Sequence, residues 1–210
     1  MLDLSKMLRS PFAKPVLFIL CLVPISALVW RAFYGDLGAN PIETITRDVG
    51  DWTLRFLLIT IAISPFRQWF GWTVLLRFRR MLGLYVFFYA FCHFLIWFVA
   101  DHSFDFSEML EDIIKRPYIT FGFSAFLLLV PLAVTSNQSM VRRLGKRWKQ
   151  LHRLTYAIVM LGVLHYLWQV KADYLEPGIY AVIAGVLLLQ RVDFKKWFDA
   201  RTSVQSSKPA

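Results

Sequence analysis

The residues in this 210-residue chain best suited to metal or redox chemistry are four histidines: His93, His102, His152 and His165. His152 and His165 both stand in residues 144–166, LGKRWKQLHRLTYAIVMLGVLHY. That stretch reads as a basic surface segment running without a breaker into an apolar helix. On one helix, the interval between the two histidines amounts to about 20 Å of rise and close to a whole number of turns. The two imidazoles then face one side at two depths, which suits two stacked metal or haem sites. Arg80 precedes His93 by the same interval.

The elements that position these residues are membrane spans. The chain is 57% hydrophobic and 17% aromatic, with a mean hydropathy of +0.50, too apolar for an ordinary soluble domain of this length. Six spans are expected at about 15–33, 53–70, 81–100, 118–135, 154–170 and 178–192. The fold class is therefore an all-α integral membrane protein, a six-helix transmembrane bundle. A basic apolar N-terminus could also be a cleaved signal, but no small-x-small cleavage site follows, and it is kept as a span. The segments 37–51, 103–116 and 140–151 read as a polar loop with GANP as a turn and two interfacial helices, the last on anionic lipid.

Charge assigns the sides. Placing both termini and the segments 67–80 and 136–153 on one side puts 18 of the 24 Lys+Arg there and only 3 of the 14 Asp+Glu. By the positive-inside rule that side is cytoplasmic, with both termini on it. The net charge of +10 is then explained by topology, and no nucleic-acid partner is needed. The chain divides into a cytoplasmic N-terminus (1–14), a transmembrane domain (15–192) and a polar cytoplasmic tail (193–210). Cys21 and Cys92 lie in apolar runs without metal or disulfide spacing. No internal repeat, P-loop, GxGxxG or nucleophile–base set is legible, so catalysis by this chain alone is not expected.

The third and fifth spans run parallel. Aligned by their inner ends, they put His93 and His165 at one depth in the outer half of the bilayer. No carboxylate or thiol is expected at that depth, and two imidazoles alone leave a zinc site incomplete. Haem brings four nitrogens and needs only axial ligands, and without CxxCH it would be noncovalent haem b. Ala90 and Gly162, each three residues before a ligand, leave room for a flat macrocycle, as Gly83 does after Arg80. Phe87, Tyr89, Phe91, Phe94 and Trp97 are candidate wall residues. His152 falls level with Arg79 and Arg80 at the inner boundary. It could ligate a second haem, or its basic neighbours could hold haem propionates, a flavin phosphate or lipid phosphate. His102, beside Asp101, is expected to be a solvated surface residue.

Several segments carry a family resemblance: GDLGANP, RRMLGLY ahead of His93, KRPYITFG, TSNQSM, LGKRWKQLHRLTY and HYLW with His165. Over nearly its whole length the chain resembles the MsrQ (YedZ) family, haem-binding membrane subunits of the MsrPQ methionine sulfoxide reductase system. It also resembles ferric-reductase and NADPH-oxidase transmembrane domains, which place paired histidines on the same two helices. Here there are three of those four histidines, with Arg80 near the missing position. The resemblance implies a bacterial inner-membrane electron conduit with one or two haems b. The donor would be the quinone pool, with FMN as a candidate intermediary, or a flavin reductase. The acceptor would be a periplasmic MsrP-like molybdopterin subunit that reduces methionine sulfoxide in proteins. The alternatives are a ferric-reductase-like subunit with another acceptor, or a non-haem transporter or scaffold whose histidines merely pack.

The acidic outer segment 105–112 is a candidate docking surface for the partner. Reversing its charges should slow electron delivery to the partner and leave haem content intact; an unchanged delivery rate would remove the docking role.

Overall fold

The computed structural model describes residues 4–170 and 172–191. The tail expected at 193–210, and the end of the sixth span at Val192, lie outside the described residues. All regular elements among the described residues are helical: α1 (Leu4–Arg9), α2 (Ala13–Phe33), α3 (Pro41–Phe70), α4 (Arg79–Ile96), α5 (Phe106–Lys115), α6 (Pro117–Val134), α7 (Gln138–Leu144), α8 (Lys146–Leu151), α9 (Leu154–Gln169) and α10 (Leu175–Leu189). A 3₁₀ turn, Thr73–Arg77, leads into α4, and a π-helical turn, Trp97–Asp101, extends it.

Among the described residues, four helices are long and apolar enough to cross a membrane: α2, α3, α4 with its π extension, and α6. The chain is thus a multi-pass membrane protein by helix length and composition. The fifth and sixth expected spans correspond to α9 and α10, of 16 and 15 residues. At about 1.5 Å per residue they are shorter than a hydrocarbon core of about 30 Å.

Local chemistry sets the boundaries and corrects three expectations. The polar segment before residue 53 is not a loop, because GANP starts a helix. Asn40 caps α3 by accepting from the Glu43 backbone N–H and donating to its carboxylate, and Pro41 takes the first helical position. Gly71 closes α3 in the left-handed region at φ 68°. The interfacial helix expected over 140–151 is two helices, because Gly145 at φ 52° turns the chain between α7 and α8. The stretch 144–166 is not one helix either. The chain turns at His152 and Arg153 before α9 begins, so His152 does not lie on the helix that carries His165.

The most extensive packing joins α3 to α4 and α6 to α9; α4 also meets α6, α3 meets α9, and α10 closes on α9 and α3. Val86 and Tyr89 of α4, Ile61 of α3, and Ile158 and Val159 of α9 are almost fully buried at this centre. Helix α2 lies on the flank and exposes Phe18, Ile19, Leu20 and Val23, as a lipid-facing surface would.

Two tyrosines of α4 fasten α2 to the bundle. Tyr85 donates to the Phe18 carbonyl. The Tyr89 hydroxyl donates to the Cys21 carbonyl at 2.8 Å and accepts from the Ile25 N–H at 3.2 Å. It therefore bridges the carbonyl and the N–H of an i, i+4 pair of α2, one residue after Pro24. Tyr89→Phe removes both of these hydrogen bonds in an apolar setting. It should cost about 1–3 kcal/mol, read as a lowered melting temperature in detergent, and Phe88→Leu on the exposed side should cost far less.

Candidate functional site

His93, near the end of α4, and His165, near the end of α9, meet across the centre of the bundle. Their ring centroids are 6.1 Å apart and their planes 80° apart. His93 Nδ1 lies 2.9 Å from the Thr46 carbonyl oxygen on α3, and His165 Nδ1 lies 2.7 Å from the Tyr118 carbonyl oxygen on α6. A carbonyl can only accept, so each Nδ1 carries the hydrogen and each Nε2 keeps its lone pair. This is how metal-ligating histidines are commonly oriented: one nitrogen is tied to the protein and the other left for the metal.

Each ring lies against a glycine. A Cβ at Gly50 would stand 3.0 Å from His93 Cε1, and one at Gly122 would stand 2.7 Å from His165 Nδ1. The sequence separation between carbonyl and histidine is the same in both bonds. Thr46, Gly50 and His93 therefore match Tyr118, Gly122 and His165 at one common offset, the one that separates the two histidines. The pair α3–α4 and the pair α6–α9 repeat one arrangement. The expectation of no internal repeat is corrected: the repeat lies in a few backbone-facing positions and in helix packing, while the apolar residues between differ freely.

The space around the pair is a cavity of about 860 Å³, within the usual range for small-molecule sites. Ala90 and Gly162 are on its wall, with Phe94 and Trp97. Tyr89 is not; it faces α2. Phe87 and Phe91 stack instead on Phe126, which itself lines the cavity. The wall also takes in Asp48, Asp51, Asp101 and Asp112. Carboxylates thus stand closer to the histidines than the expected span ends implied, because α3 starts earlier in the chain and carries Asp48 and Asp51 into the bundle.

Among the described residues, no group of three or more His, Cys, Asp or Glu is placed to hold a metal ion. Two neutral imidazoles with free Nε2 atoms fit a group that brings its own equatorial ligands. A haem fits this donor set, and His93 and His165 are the residues that would hold it.

The other candidate residues lie elsewhere. His152 caps α8; its Nε2 is 3.1 Å from Thr135 Oγ1, and its ring stacks on Trp148 at 3.9 Å. Burial, then the charges of Arg79 and Arg80, hold its pKa below the usual imidazole value. The two arginines lie within electrostatic reach of His152, but neither His152 nor Arg79, Arg80 or Gly83 lines the cavity. His102 is not solvated. It is 3% exposed, edge-on to Trp97, with Nε2 3.4 Å from an Asp112 carboxylate oxygen. Ser103 and Phe104 adopt positive φ and fold the chain back, so that α5 covers the ring. Sequence reasoning missed Thr46, Tyr118, Gly50 and Gly122. Comparing the chain with itself at the His93–His165 offset would have found the two glycines.

Residues 49–163 match the family described as ferric reductase like transmembrane component. The chain is 54% identical to the protein-methionine-sulfoxide reductase heme-binding subunit MsrQ of Herminiimonas arsenicoxydans, over 88% of this chain and 85% of that one. The chain belongs to the MsrQ family. It is also 53% identical to MsrQ of Rhodospirillum rubrum (strain ATCC 11170), over 88% of this chain and 89% of the relative, and 48% identical to MsrQ of Xanthomonas euvesicatoria pv. vesicatoria, over 94% and 93%. The MsrQ match therefore spans the bundle and is not confined to the paired-histidine helices.

The glycine contacts grade the expected effects of added methyl groups. Gly122→Ala should lower the haem bound per chain most, because the His165 ring must move. Gly50→Ala should lower it less. Gly162→Ala, whose Cβ would meet only Leu54 and Leu57 at 3.8 and 4.0 Å, moves neither ring and tests instead the room Gly162 leaves on the cavity wall. Wild-type haem content in both Gly122→Ala and Gly50→Ala would refute the ring-seating role of those glycines.

Proposed function

We propose that this chain is the haem-binding electron-transfer subunit of a protein-methionine-sulfoxide reductase. The observation that carries the reading is the His93–His165 pair, two neutral imidazoles aimed into one cavity by backbone carbonyls. The bundle would cross a bacterial inner membrane six times with both termini cytoplasmic, as the 18-to-6 distribution of basic residues suggests.

In this reading His93 and His165 would hold haem b, and Ala90 and Gly162 would leave room for it. Held by both imidazoles, such a haem would supply one-electron transfer. The chain's residues prepare that hold. The Thr46 and Tyr118 carbonyls hold both tautomers, and the glycines seat the rings. The carboxylates and the short helix α5 lie toward the side assigned to the periplasm, where a molybdopterin partner of the MsrP type would dock. Electrons would come from the quinone pool, with FMN as a candidate carrier, or from a flavin reductase. Their outward movement is favoured by an inside-negative potential, by up to about 2.3 kcal/mol per 100 mV for a full crossing. His152, with Arg79, Arg80 and Gly83, forms the inner set, where a second haem would need His152 as a ligand.

The test is haem per chain with reduced-minus-oxidised spectra on detergent-purified protein. His93→Ala and His165→Ala should each lose the bis-histidine spectrum. His152→Ala should keep it, and a fall from two haems to one in that variant would assign the second haem to the inner set. Retention of the chromophore in both His93→Ala and His165→Ala would leave the histidines as packing residues and the electron-transfer reading without a centre.

A further inference from the structure

The cavity beside His93 and His165 is polar toward one end of the bundle. The starts of α3 and α6 meet the ends of α4 and α9 there, as the two histidine–carbonyl bonds show. The start of α10 joins them through the contact of Glu176 with Arg55. Residues near these termini bring Asp48, Asp101, Asp112 and Glu176 to the cavity wall. Farther along the same helices the wall is apolar, with Leu57, Ala125, Leu129 and Ile158.

His102 stands in the polar part with a bonding requirement unmet. It lines the cavity and is 3% exposed. Neither of its ring nitrogens makes a hydrogen bond among the described residues. An imidazole carries at least one N–H in every protonation state, so a buried donor is left over. Asp112 lies 3.4 Å from Nε2 but is out of line for a hydrogen bond, and it is ion-paired with Arg116 at 3.1 Å. Glu108 lies 3.8 Å from Nδ1 and exposes 61% of its side chain. Trp97 meets the ring edge-on, and an indole N–H offers no acceptor.

A haem would bring the matching group, because its macrocycle carries two propionate carboxylates on one edge. An unpaired carboxylate is far costlier against the apolar wall than at the polar end. The polar end is itself rich in acids, so a propionate there needs a donor that the wall's own carboxylates have not taken. Arg116 is paired with Asp112 and Arg47 with Glu43. The His102 N–H is buried, lies on the cavity wall, and bonds to neither of its acidic neighbours.

We propose that His102 is a haem-binding residue that donates a hydrogen bond to a propionate of the haem held by His93 and His165. The inference rests on the haem reading of that pair and adds an orientation to it: the propionate edge faces the end of the cavity that α5 covers.

The test titrates the full chain, purified without haem in detergent, with haem b and with haem b dimethyl ester, the same macrocycle with both carboxylates blocked. Soret absorbance reads binding, and no activity is measured. His102→Leu should weaken the binding of haem about tenfold and leave that of the ester unchanged. His102→Gln keeps an N–H donor and should recover most of the loss. His93→Ala should weaken both ligands alike, because contact with the iron does not involve the carboxylates. Equal weakening of haem and ester in His102→Leu, or weakening of neither, would overturn the propionate contact and leave the ring as a packing residue under α5. A wild type that binds both ligands with such a result keeps the haem reading and loses only this contact; a wild type that binds neither loses both. If His102→Leu does not fold, the propionate bending band in the resonance Raman spectrum of the haem complex decides. It should move between wild type and His102→Gln, and an unmoved band overturns the contact.

Discussion

The hydrogen bond from each imidazole Nδ1 to a helix carbonyl is the constraint on which the rest depends. It fixes the tautomer, and so decides that an unprotonated nitrogen faces the cavity. It also ties each histidine to a helix other than its own, His93 on α4 to α3 and His165 on α9 to α6. Those are the two most extensively packed helix pairs in the molecule. The bond needs a close approach, and Gly50 and Gly122 provide it by having no side chain where the rings lie. A larger residue at either position would part the ring from its carbonyl, and the cavity would lose the geometry of its two donors.

The membrane explains why packing takes this form. Lipid offers little hydrophobic gain for helix association, so close backbone approach and interhelical hydrogen bonds matter more than in water. The two histidine bonds serve this purpose, as do the Tyr85 and Tyr89 bonds to α2. A neutral imidazole with its N–H satisfied is also far less costly at membrane depth than a charged one. Functional orientation and structural fastening are therefore one set of bonds. Most charged side chains lie at the two ends of the bundle, where water and headgroups can reach them.

Much of this was legible in the sequence because it depends on local composition and spacing. Apolar runs located the helices, and the shared spacing of His93 and His165 from the basic entries of their spans predicted that they would meet. Three things were not legible. A backbone carbonyl leaves no side-chain signal, so Thr46 and Tyr118 could not be singled out. A glycine in an apolar helix has many causes, so Gly50 and Gly122 stood out only when paired with the rings they seat. The burial of His102 depends on two residues with positive φ, Ser103 and Phe104, neither of which is a type that predicts such a turn.

The repeat also shows how the two ends of the bundle diverged. At the histidine level both halves keep the same three parts. One helix length away, the position matching His152 is Arg80, at the same offset that relates His93 to His165. The equivalence fails there twice, for unrelated reasons. In the first half an arginine stands where an imidazole would be needed. In the second, the imidazole is present, but the turn at His152 and Arg153 takes it off the face of α9, toward Thr135 and Trp148. A continuous helix would have kept His152 below His165. The break instead lets α8 lie apart from α9 and brings the Trp148 N–H to the Thr135 carbonyl at the end of α6. The His152 end has thus been given to anchoring α8 and to concentrating arginine, while the bare paired imidazoles persist only where both glycines do.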